Sequence, residues 1–512
     1  MLTKSLLNWK LKRILSKSIF LKQIRQYKCK NYFVTTPIFY VNADPHIGHM
    51  YTAVLADAVA RWHSLKGGKV IFTTGTDEHG LKIQQAAEKR GTSTMTHCDQ
   101  VSAKFKDLFS QVNIGYTDYI RTTEPRHRQS VVKFWQTLQS NGYIYKGSYE
   151  GWYSVSDEAF LSDKDVTEIT DKQGNKIKVA MDSLQPVVWT KEENYMFRLS
   201  AFKDSLLKWL DQGVIQPQMF ELIVRNSIED LKDLSVSRQR NRLAWGMPVP
   251  GDEDQTIYVW LDALVNYLTV VGYPELSNDW PPDCHVVGKD ILKFHAIYWP
   301  AFLLAANLPL PKRIQCHCHW KVDDRKMSKT IGNVVDPFDR INRYTADGLR
   351  YFLLREGTPH SDANYNDKVL VEYINNDLCN TLGNLLSRCT SKKILLAVGE
   401  IFPALNREIL ESHFSKEDVE MYRSLQQIPG KIMYRFLQQI PGNIMYRSLQ
   451  QIPGKIMYIS LQQIPGNIMY RSLQQIPGKI MYISLQQILG TIMYRSLQLI
   501  CFFFFPVKIL FF

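Results

Sequence analysis

The chain has 512 residues, of which 45% are hydrophobic and 22% charged, so it is long enough for two or three domains with sizeable cores. Its eight cysteines include no Cys-X-X-Cys pair, which argues against a disulfide framework and fits a reducing compartment. The formal charge of +13 is uneven, because residues 1–30 hold seven Lys, two Arg and no acidic residue.

Residues 1–30 are predicted to be a mitochondrial presequence, which would send the protein to the mitochondrial matrix. Lysines alternate there with Leu, Ile and Phe at helical spacing, and Ser5, Ser16 and Ser18 stand among them. The alternative is a basic, disordered tail, but basic RNA-binding tails rarely carry so many leucines and isoleucines. A secretory signal would need a longer uninterrupted apolar stretch.

Residues 31–140 alternate between strand-like and helix-like segments. Tyr32–Thr36 and Lys69–Thr73 have the composition of buried parallel strands, and Met50–Leu65 has the apolar periodicity of a helix. Because ligands bind at the carboxyl ends of parallel strands, the loop Thr74–Gly80 is a candidate site segment.

Residues 143–232 interrupt this alternation and are predicted to form a β-rich insertion. Tyr143–Gly147 and Tyr149–Tyr153 have the pattern of short antiparallel strands. The α/β pattern is predicted to resume at Thr256–Trp260 and Cys284–Gly288, and after Asp336-Pro337 the sequence becomes helical.

From Met421 a unit of twelve residues recurs with little change up to residue 500, and no acidic residue follows Glu420. A solenoid is one interpretation, but solenoid copies normally diverge while they keep their core positions. A Pro-Gly in most units also interrupts any long helix. An expansion of a short nucleotide repeat, or an error in the reading frame, therefore fits better. The apolar tail 501–512 is too short to span a bilayer.

Two short motifs carry the chemistry: His46-Ile47-Gly48-His49, between a predicted strand and helix, and Lys326-Met327-Ser328-Lys329-Thr330. A helix start offers backbone N–H groups and the positive end of the helix dipole to phosphate oxygens. Two imidazoles there can donate hydrogen bonds to a phosphoryl group, and a lysine-rich loop can hold the departing pyrophosphate. Together the motifs predict ATP chemistry at an α-phosphate.

These motifs resemble those of the class I aminoacyl-tRNA synthetases, and their surroundings resemble the methionyl-tRNA synthetases, especially the mitochondrial type. The stretches that carry the resemblance are Thr35–Asn42, Thr74–Gly80, Asn194–Ser200, Tyr258–Leu264, Gly288–Asp290 and the Lys326 motif. The resemblance implies a Rossmann-like parallel-sheet catalytic domain over 31–355, with 143–232 as its inserted connective domain. A partial α-helical anticodon-binding bundle would follow over 356–420.

The resemblance assigns catalysis to His46, His49, Lys326 and Lys329. The residues that it implies for ATP binding are His46, Gly48, His49, Arg238, Lys289, Asp290, Lys326, Met327, Ser328 and Lys329. Thr330 stands where serine is usual in the family, which keeps the hydroxyl and adds a methyl group. We expect a modest effect on loop packing.

Methionine binding needs an anchor for the ammonium and an apolar pocket for the thioether, whose polarisable sulfur packs well against aromatic edges. Asp77, after a predicted buried strand, suits the first role. The resemblance implies a methionine site made of Ile38, Tyr40, Asp77, Trp260, Ala263, Leu264, Tyr267, Ile291, His295 and Trp299. Without it, the tryptophans and Tyr267 would be interpreted as core aromatics.

No metal site is predicted apart from Mg²⁺ bound with ATP, held mainly by phosphate oxygens. Cys316-His317-Cys318-His319 invites a zinc interpretation, but alternate residues of a strand point to opposite faces and do not converge on one ion. Many relatives carry zinc knuckles in the insertion, whereas this chain has no cysteine between Cys98 and Cys284. We therefore expect no zinc.

The tRNA-binding part departs most from the family. Asn384 and Arg388, one helical turn apart, resemble the residues that read the anticodon. The family uses a later tryptophan as a stacking platform, and this chain has none after Trp320.

The resemblance implies a monomeric enzyme that makes methionyl-adenylate from L-methionine and ATP and transfers the methionyl group to mitochondrial tRNA(Met), with the tRNA step impaired by the altered C-terminus. A synthetase for another aliphatic amino acid would carry a larger editing insertion, and a cysteine-specific one would need zinc ligands. The remaining alternative is a catalytically weak or inactive tRNA-binding pseudoenzyme.

Overall fold

The computed structural model describes residues 31–154, 159–161, 163–170, 176–181, 185–327 and 332–391. The predicted presequence, residues 392–420 of the predicted helical bundle, the repeats 421–500 and the tail 501–512 lie outside the described residues. Within the described part, no helix is long and apolar enough to cross a membrane.

The described chain contains strands of two to eleven residues. In chain order they are β1 (Tyr32–Tyr40), β2 (Val70–Asp77), β3 (Asp118–Arg121), β4 (Ile144–Ser154), β5 (Ala159–Leu161), β6 (Val166–Thr170), β7 (Lys176–Ala180), β8 (Val187–Phe197), β9 (Ile215–Gln216), β10 (Leu234–Ser235), β11 (Ser237–Gln239), β12 (Pro248–Val249), β13 (Asp252–Ile257), β14 (Cys284–Gly288), β15 (Ile314–His317), β16 (Trp320–Val322), β17 (Arg325–Lys326) and β18 (Ala363–Asn364).

The α-helices of the described chain are α1 (Ile47–Leu65), α2 (Leu81–Arg90), α3 (Thr94–Gln111), α4 (Pro125–Ser140), α5 (Lys203–Leu210), α6 (Met219–Glu229), α7 (Val259–Leu264), α8 (Asn266–Thr269), α9 (Trp299–Ala305), α10 (Pro337–Tyr344), α11 (Ala346–Glu356), α12 (Asp367–Tyr373) and α13 (Asn384–Cys389). Short 3₁₀ turns occupy Asp163–Asp165, Leu199–Phe202 and Lys289–Ile291, and π-helical segments occupy Phe294–Tyr298 and Ile374–Gly383. Backbone contacts divide the chain into two compact units. One holds residues up to 44, 55–107 and 114–316, and the other holds 45–54, 108–113 and the residues from 317 onward.

The first unit is built on a six-stranded sheet in the order β3-β2-β1-β14-β15-β9. The pairs β1–β2, β1–β14, β2–β3 and β15–β9 are parallel, which confirms the predicted parallel sheet. Its strands are rich in buried apolar residues such as Phe33, Val34 and Phe72, as expected of a sheet that is covered on both faces. The carboxyl ends of β1, β2 and β14 therefore lie along one edge.

Gly75 lets β2 lie close to β3. It pairs with Ile120 across the two strands, and a Cβ atom at Gly75 would meet the Ile120 carbonyl oxygen at 2.0 Å. A side chain there requires the two strands to separate, directly before the loop that follows Asp77.

The substitution Gly75→Ala should lower the free energy of unfolding by about 1–3 kcal/mol, because overpacking forces the backbone to shift. Gly115→Ala is a matched control, since a Cβ there would meet Asp57 Oδ1 at an ordinary 3.4 Å. Urea unfolding of the two variants and the wild type measures the difference. Equal midpoints for the two variants would contradict the packing argument.

The insertion contains an antiparallel sheet in the order β10-β8-β4-β5, with β4 and β8 paired along eleven residues each, and a separate hairpin of β6 and β7. This confirms a β-rich insertion. Strand β4 joins the two predicted segments Tyr143–Gly147 and Tyr149–Tyr153, because Ser148 between them pairs with Glu193 of β8. Residues 203–229 form α5, β9 and α6, and β9 joins the edge of the parallel sheet.

The segment Thr256–Trp260 does not continue the parallel sheet as expected. Strand β13 ends at Ile257 and pairs antiparallel with β11 and β12, and Trp260 lies in the first turn of α7. Cys284–Gly288 does form the predicted strand, β14, which lies beside β1.

The second unit contains the small sheet β17-β16-β18 and the helices α10 to α13. Trp320 and Phe352 pack at 5.4 Å between ring centroids, and Phe352 meets the edge of Tyr365 at 5.6 Å. The buried Arg350 donates to the Val112 carbonyl at 2.9 Å. These helices confirm that the chain becomes helical after Pro337.

Candidate active site and amino acid pocket

The two histidines of the first motif stack on each other at the start of α1. Their ring centroids are 3.7 Å apart, at 25° between planes. The Gly48 N–H donates to His46 Nδ1 at 3.1 Å, and the His46 N–H donates to His49 Nδ1 at 3.2 Å. Because each Nδ1 accepts a hydrogen bond, a neutral ring carries its hydrogen on Nε2. Both half-buried imidazoles thus present an Nε2–H donor.

Gly48 allows this stack. A Cβ atom at this position would lie 2.9 Å from His46 Cε1, so it would displace the His46 ring. The motif therefore needs glycine between its histidines for a steric reason.

The backbone N–H groups at the start of α1 make hydrogen bonds within the protein. The His46 and Gly48 N–H groups bond to imidazole nitrogens, and the Ile47 N–H donates to the Val335 carbonyl at 3.3 Å. These contacts leave the donor role to the imidazole Nε2–H groups. The expectation that main-chain N–H groups of this turn face phosphate stays a prediction.

The backbone of the second motif begins in a strand. Lys326 pairs with Lys321 through β17 and β16, and Met327 is half-buried. Ser328, Lys329 and Thr330 lie outside the described residues, so their assignments stay predictions.

In the first unit, Asp77 lies at the carboxyl edge of the parallel sheet. It is the last residue of β2 and pairs with Tyr40, the last residue of β1. Its carbonyl accepts the Val41 N–H at 3.1 Å, and Ile38 lies on β1 two residues before Tyr40. Asp77 is half-buried, which suits a carboxylate that binds a cationic group.

Four residues of the predicted methionine pocket, Trp260, Tyr267, His295 and Trp299, form an aromatic cluster together with Phe294. Trp260 stacks on Phe294 at 3.6 Å and meets the edge of His295 at 6.3 Å. Tyr267 lies 5.8 Å from both His295 and Trp299, between ring centroids. The other three predicted residues of this part are Ala263 and Leu264, buried on α7, and Ile291, half-buried after β14.

His295 has a defined tautomer. Its Nδ1 lies 2.9 Å from the Ile291 carbonyl, which can only accept, so Nδ1 donates. Its Nε2 then accepts the hydroxyl hydrogen of Tyr267 at 2.8 Å. Burial lowers the pKa of His295 to about 4, so the ring stays neutral at physiological pH. The residue lies in a π-helical segment, a feature often found at functional sites.

The free energy of unfolding should fall as the pH drops from about 6.5 to about 4, because His295 takes up a proton in the unfolded chain near its usual pKa but only near pH 4 when folded. Burial lowers the pKa of His285 in the same direction. Urea unfolding at about pH 7.5 and pH 5 measures the loss. His295→Gln should lose less stability across this range than the wild type does, and an identical loss in both proteins would contradict the assignment.

The residues predicted to contact ATP from the first unit occupy two places. Lys289 and Asp290 form a 3₁₀ turn directly after β14, at the same edge of the sheet as Asp77. Arg238 lies on β11 and is only 3% exposed, with its guanidinium 4.6 Å above the Tyr258 ring. Its Nη1 donates to the Ser237 carbonyl at 2.7 Å and to the Ser235 hydroxyl at 3.0 Å. Arg238 is therefore held by residues of β10 and β11 and by the Tyr258 ring.

Residues 32–390 match the family described as tRNA synthetases class I (M). The chain belongs to this family. It is 55% identical to human methionine–tRNA ligase, mitochondrial, over 380 residues, which is 73% of this chain and 64% of the human protein. It is 50% identical to the Xenopus laevis protein of the same name over 400 residues, 78% of this chain and 71% of that protein.

A solved structure shows the same fold. Mycobacterium tuberculosis methionyl-tRNA synthetase in complex with methionyl-adenylate superposes with a TM-score of 0.71 and 37% identity, over 80% of this chain and 79% of that one. The matched region spans 64% of the human relative, so this class I synthetase chain represents about two thirds of that protein.

Cys316-His317-Cys318-His319 is used for internal packing in the synthetase. His317 donates from Nδ1 to the Cys318 carbonyl at 2.9 Å, and its Nε2 accepts from the Thr52 hydroxyl at 3.0 Å. Cys316 and Cys318 are both buried. Among the described residues, no group of three or more His, Cys, Asp or Glu side chains is placed to hold a metal ion.

Asn384 and Arg388 are both exposed on α13 of the synthetase, one turn apart. The Asn384 amide donates to the Asn380 carbonyl at 2.6 Å. Their assignment to the anticodon stays a prediction.

Sequence reasoning missed three polar residues, His79, Asp262 and His127, that the synthetase fold places beside the predicted pocket. The Asp262 carboxylate accepts hydrogen bonds from His79 at 2.6 Å and from His127 at 2.9 Å. His79 and Asp262 lie inside the motif stretches Thr74–Gly80 and Tyr258–Leu264, so the signal was present, but nothing local pairs residues 183 positions apart.

Proposed function

We propose that the protein activates L-methionine with ATP and transfers the methionyl group to mitochondrial tRNA(Met), as a monomer in the mitochondrial matrix. The geometry that supports the activation step is the stacked pair His46 and His49. Their Nδ1 atoms accept hydrogen bonds from main-chain N–H groups, and their Nε2–H groups are donors. The methionine specificity is supported by the relatives named methionine–tRNA ligase, mitochondrial, and by the solved complex with methionyl-adenylate.

In the first step, a methionine carboxylate oxygen attacks the α-phosphorus of ATP. The bond between that phosphorus and the bridging oxygen breaks, and pyrophosphate leaves with methionyl-adenylate formed. No protein nucleophile is needed, so catalysis consists of positioning and charge stabilisation. Histidine Nε2–H groups donate to the phosphate oxygens, and Lys326 and Lys329 stabilise the charge of the departing pyrophosphate.

Mg²⁺ would enter with ATP and be held mainly by phosphate oxygens, because it retains several of its waters and takes few protein ligands. No zinc is proposed. Methionine would be bound through its ammonium at Asp77 and through its thioether in the aromatic cluster around Tyr267. In the second step, a hydroxyl of the terminal ribose of the tRNA attacks the methionyl carbonyl, and AMP leaves.

Pyrophosphate exchange into ATP by the purified full chain tests the activation step. Exchange that depends on methionine, and is absent with leucine, isoleucine or cysteine, is the expected result. A folded, soluble protein without methionine-dependent exchange would favour the alternative of an inactive tRNA-binding protein. Charging of mitochondrial tRNA(Met) tests the second step, and we expect weak charging because the repeats begin at Met421, where the rest of the helical bundle is expected.

A further inference from the structure

The side chains of His79, Asp262 and His127 form a hydrogen-bonded polar cluster in the first unit, beside the predicted methionine pocket. Asp262 Oδ2 lies 2.6 Å from His79 Nδ1, and Asp262 Oδ1 lies 2.9 Å from His127 Nε2. The side chains of Asp262 and His127 are 1% and 0% exposed, and that of His79 is 12% exposed. Both carboxylate oxygens thus have an imidazole partner.

The two histidines of the polar cluster determine the charge of Asp262. Both histidines lower the pKa of Asp262, to about 2 despite its burial, so the carboxyl is ionised and can only accept. His127 Nδ1 lies 3.0 Å from the Thr269 hydroxyl, which itself donates to the Val265 carbonyl at 3.1 Å. Both ring nitrogens of His127 therefore have a hydrogen-bond partner. A buried carboxylate is tolerated when it is paired in this way.

The polar cluster joins the loop after β2 to helix α7, the two elements that carry predicted methionine contacts. His79 stands two residues after Asp77, in the loop that leaves β2. Asp262 stands on α7 between Trp260 and Ala263. The hydrogen bond between His79 and Asp262 therefore sets the spacing between two parts of the predicted site. One is the Asp77 carboxylate, for the substrate ammonium, and the other is helix α7, for the methionine side chain.

The same loop is held from another side by Trp245. Its indole Nε1–H donates to the Glu78 carbonyl at 2.6 Å, and its own carbonyl accepts the Gly80 N–H at 3.0 Å. The Trp245 ring also lies 6.1 Å from the His79 ring. Residues 78 to 80 thus have fixed main-chain contacts, and the side-chain bond of His79 to Asp262 connects them to α7.

We propose that His79, Asp262 and His127 are positioning residues for amino acid recognition, which hold the loop of Asp77 at a fixed distance from the helix of Trp260. This inference rests on the proposed function and extends it to residues that do not touch the substrate. It predicts that loss of these hydrogen bonds weakens methionine binding more than ATP binding, because both connected elements belong to the predicted amino acid pocket.

Asp262→Asn removes the charge and leaves an amide that can accept from only one of the two histidines. Its KM for methionine in pyrophosphate exchange should rise by about 10- to 100-fold, the size of effect that a displacement of about 1 Å produces. Its KM for ATP should change much less. Asp57→Asn is the matched control, since Asp57 is equally buried and bonds to Arg61 and to the Gly115 N–H at 2.7 and 2.8 Å, away from the pocket.

A second pair of variants keeps the test valid if Asp262→Asn does not fold. Asparagine at position 79 can place its amide N–H where His79 Nδ1 donates, whereas leucine cannot. His79→Asn should therefore keep a KM for methionine close to that of the wild type, and His79→Leu should show the increase. Thermal unfolding of each variant separates this effect from a general loss of stability.

The two hypotheses fail in distinguishable ways. A wild type that shows methionine-dependent exchange, together with His79→Leu and Asp262→Asn variants whose KM values for methionine and ATP change equally or not at all, overturns the positioning role alone. A wild type without methionine-dependent exchange overturns the proposed function and the positioning role with it.

Discussion

Replacing His49 by asparagine should lower the rate of methionine-dependent pyrophosphate exchange by about 10²- to 10³-fold, the loss measured when one donor to a transition-state oxyanion is removed. Asparagine can still accept the His46 N–H, which His49 Nδ1 does at 3.2 Å, so the turn is expected to keep its shape. What disappears is the Nε2–H donor. The effect should appear in kcat, with little change in the KM for methionine.

Glutamine at the same position distinguishes the two nitrogens of the ring. Its amide nitrogen can take the place of Nε2 but leaves the His46 N–H without its Nδ1 acceptor. His49→Gln should therefore retain more activity than His49→Asn. His63→Asn is the control, because His63 lies in the last turn of the same helix, where it stacks on Tyr32 at 3.4 Å. If asparagine and glutamine at position 49 are equally active, the Nε2–H group does not act on the phosphate.

Asp77→Asn should raise the KM for methionine by at least about 30-fold, because removing one partner of a hydrogen-bonded charge pair costs about 2–5 kcal/mol. The KM for ATP should stay near its wild-type value. The physical reason is that a neutral amide retains the size of the side chain but leaves the ammonium of the substrate without a counter-charge. Asp77→Glu keeps the charge and adds one methylene. Its KM for methionine should lie between those of the wild type and of Asp77→Asn.

Asp118→Asn is a suitable control for Asp77→Asn. Asp118 begins β3, two strands from β1 in the sheet order, and pairs with the exposed Arg126 at 2.7 Å. Exposed pairs of this kind contribute little to stability. Steady-state exchange kinetics with each substrate varied in turn separate the two KM values. Equal rises in both KM values for Asp77→Asn would show that Asp77 maintains the fold of the site and does not bind the ammonium.

Local sequence pattern was sufficient for the elements that carry most of the site. Runs of β-branched and aromatic residues favour buried parallel strands. Such runs predicted the strands at Tyr32–Thr36 and Cys284–Gly288, and the structure contains both. The apolar periodicity predicted the helix over Met50–Leu65, and the observed helix begins three residues earlier, at Ile47 within the motif. The same information predicted Asp77 at the end of a strand.

The same reasoning failed at Thr256–Trp260, for a physical reason. A short apolar run has no period of its own, so it cannot be assigned to a strand or to a helix before its partners are known. Here the partners are β11 and β12, whose pairing ends at Ile257, and the next residues turn into α7. Trp260 therefore reaches the pocket from a helix.

The motifs of this chain, His46–His49, Asp77 and Trp260, are short and local, and they suffice to predict the chemistry and the class of the protein. His46 and His49 are oriented by bonds within their own motif. The loop after Asp77 is held by bonds between residues far apart in the chain, such as Gly80 to Trp245 and His79 to Asp262. Those partners depend on how strands and helices pack, because a side chain finds its acceptor only after the backbone has brought the two together. The predicted catalytic residues can thus be found from the sequence, whereas the hydrogen bond of His79 to the buried Asp262 depends on the folded chain.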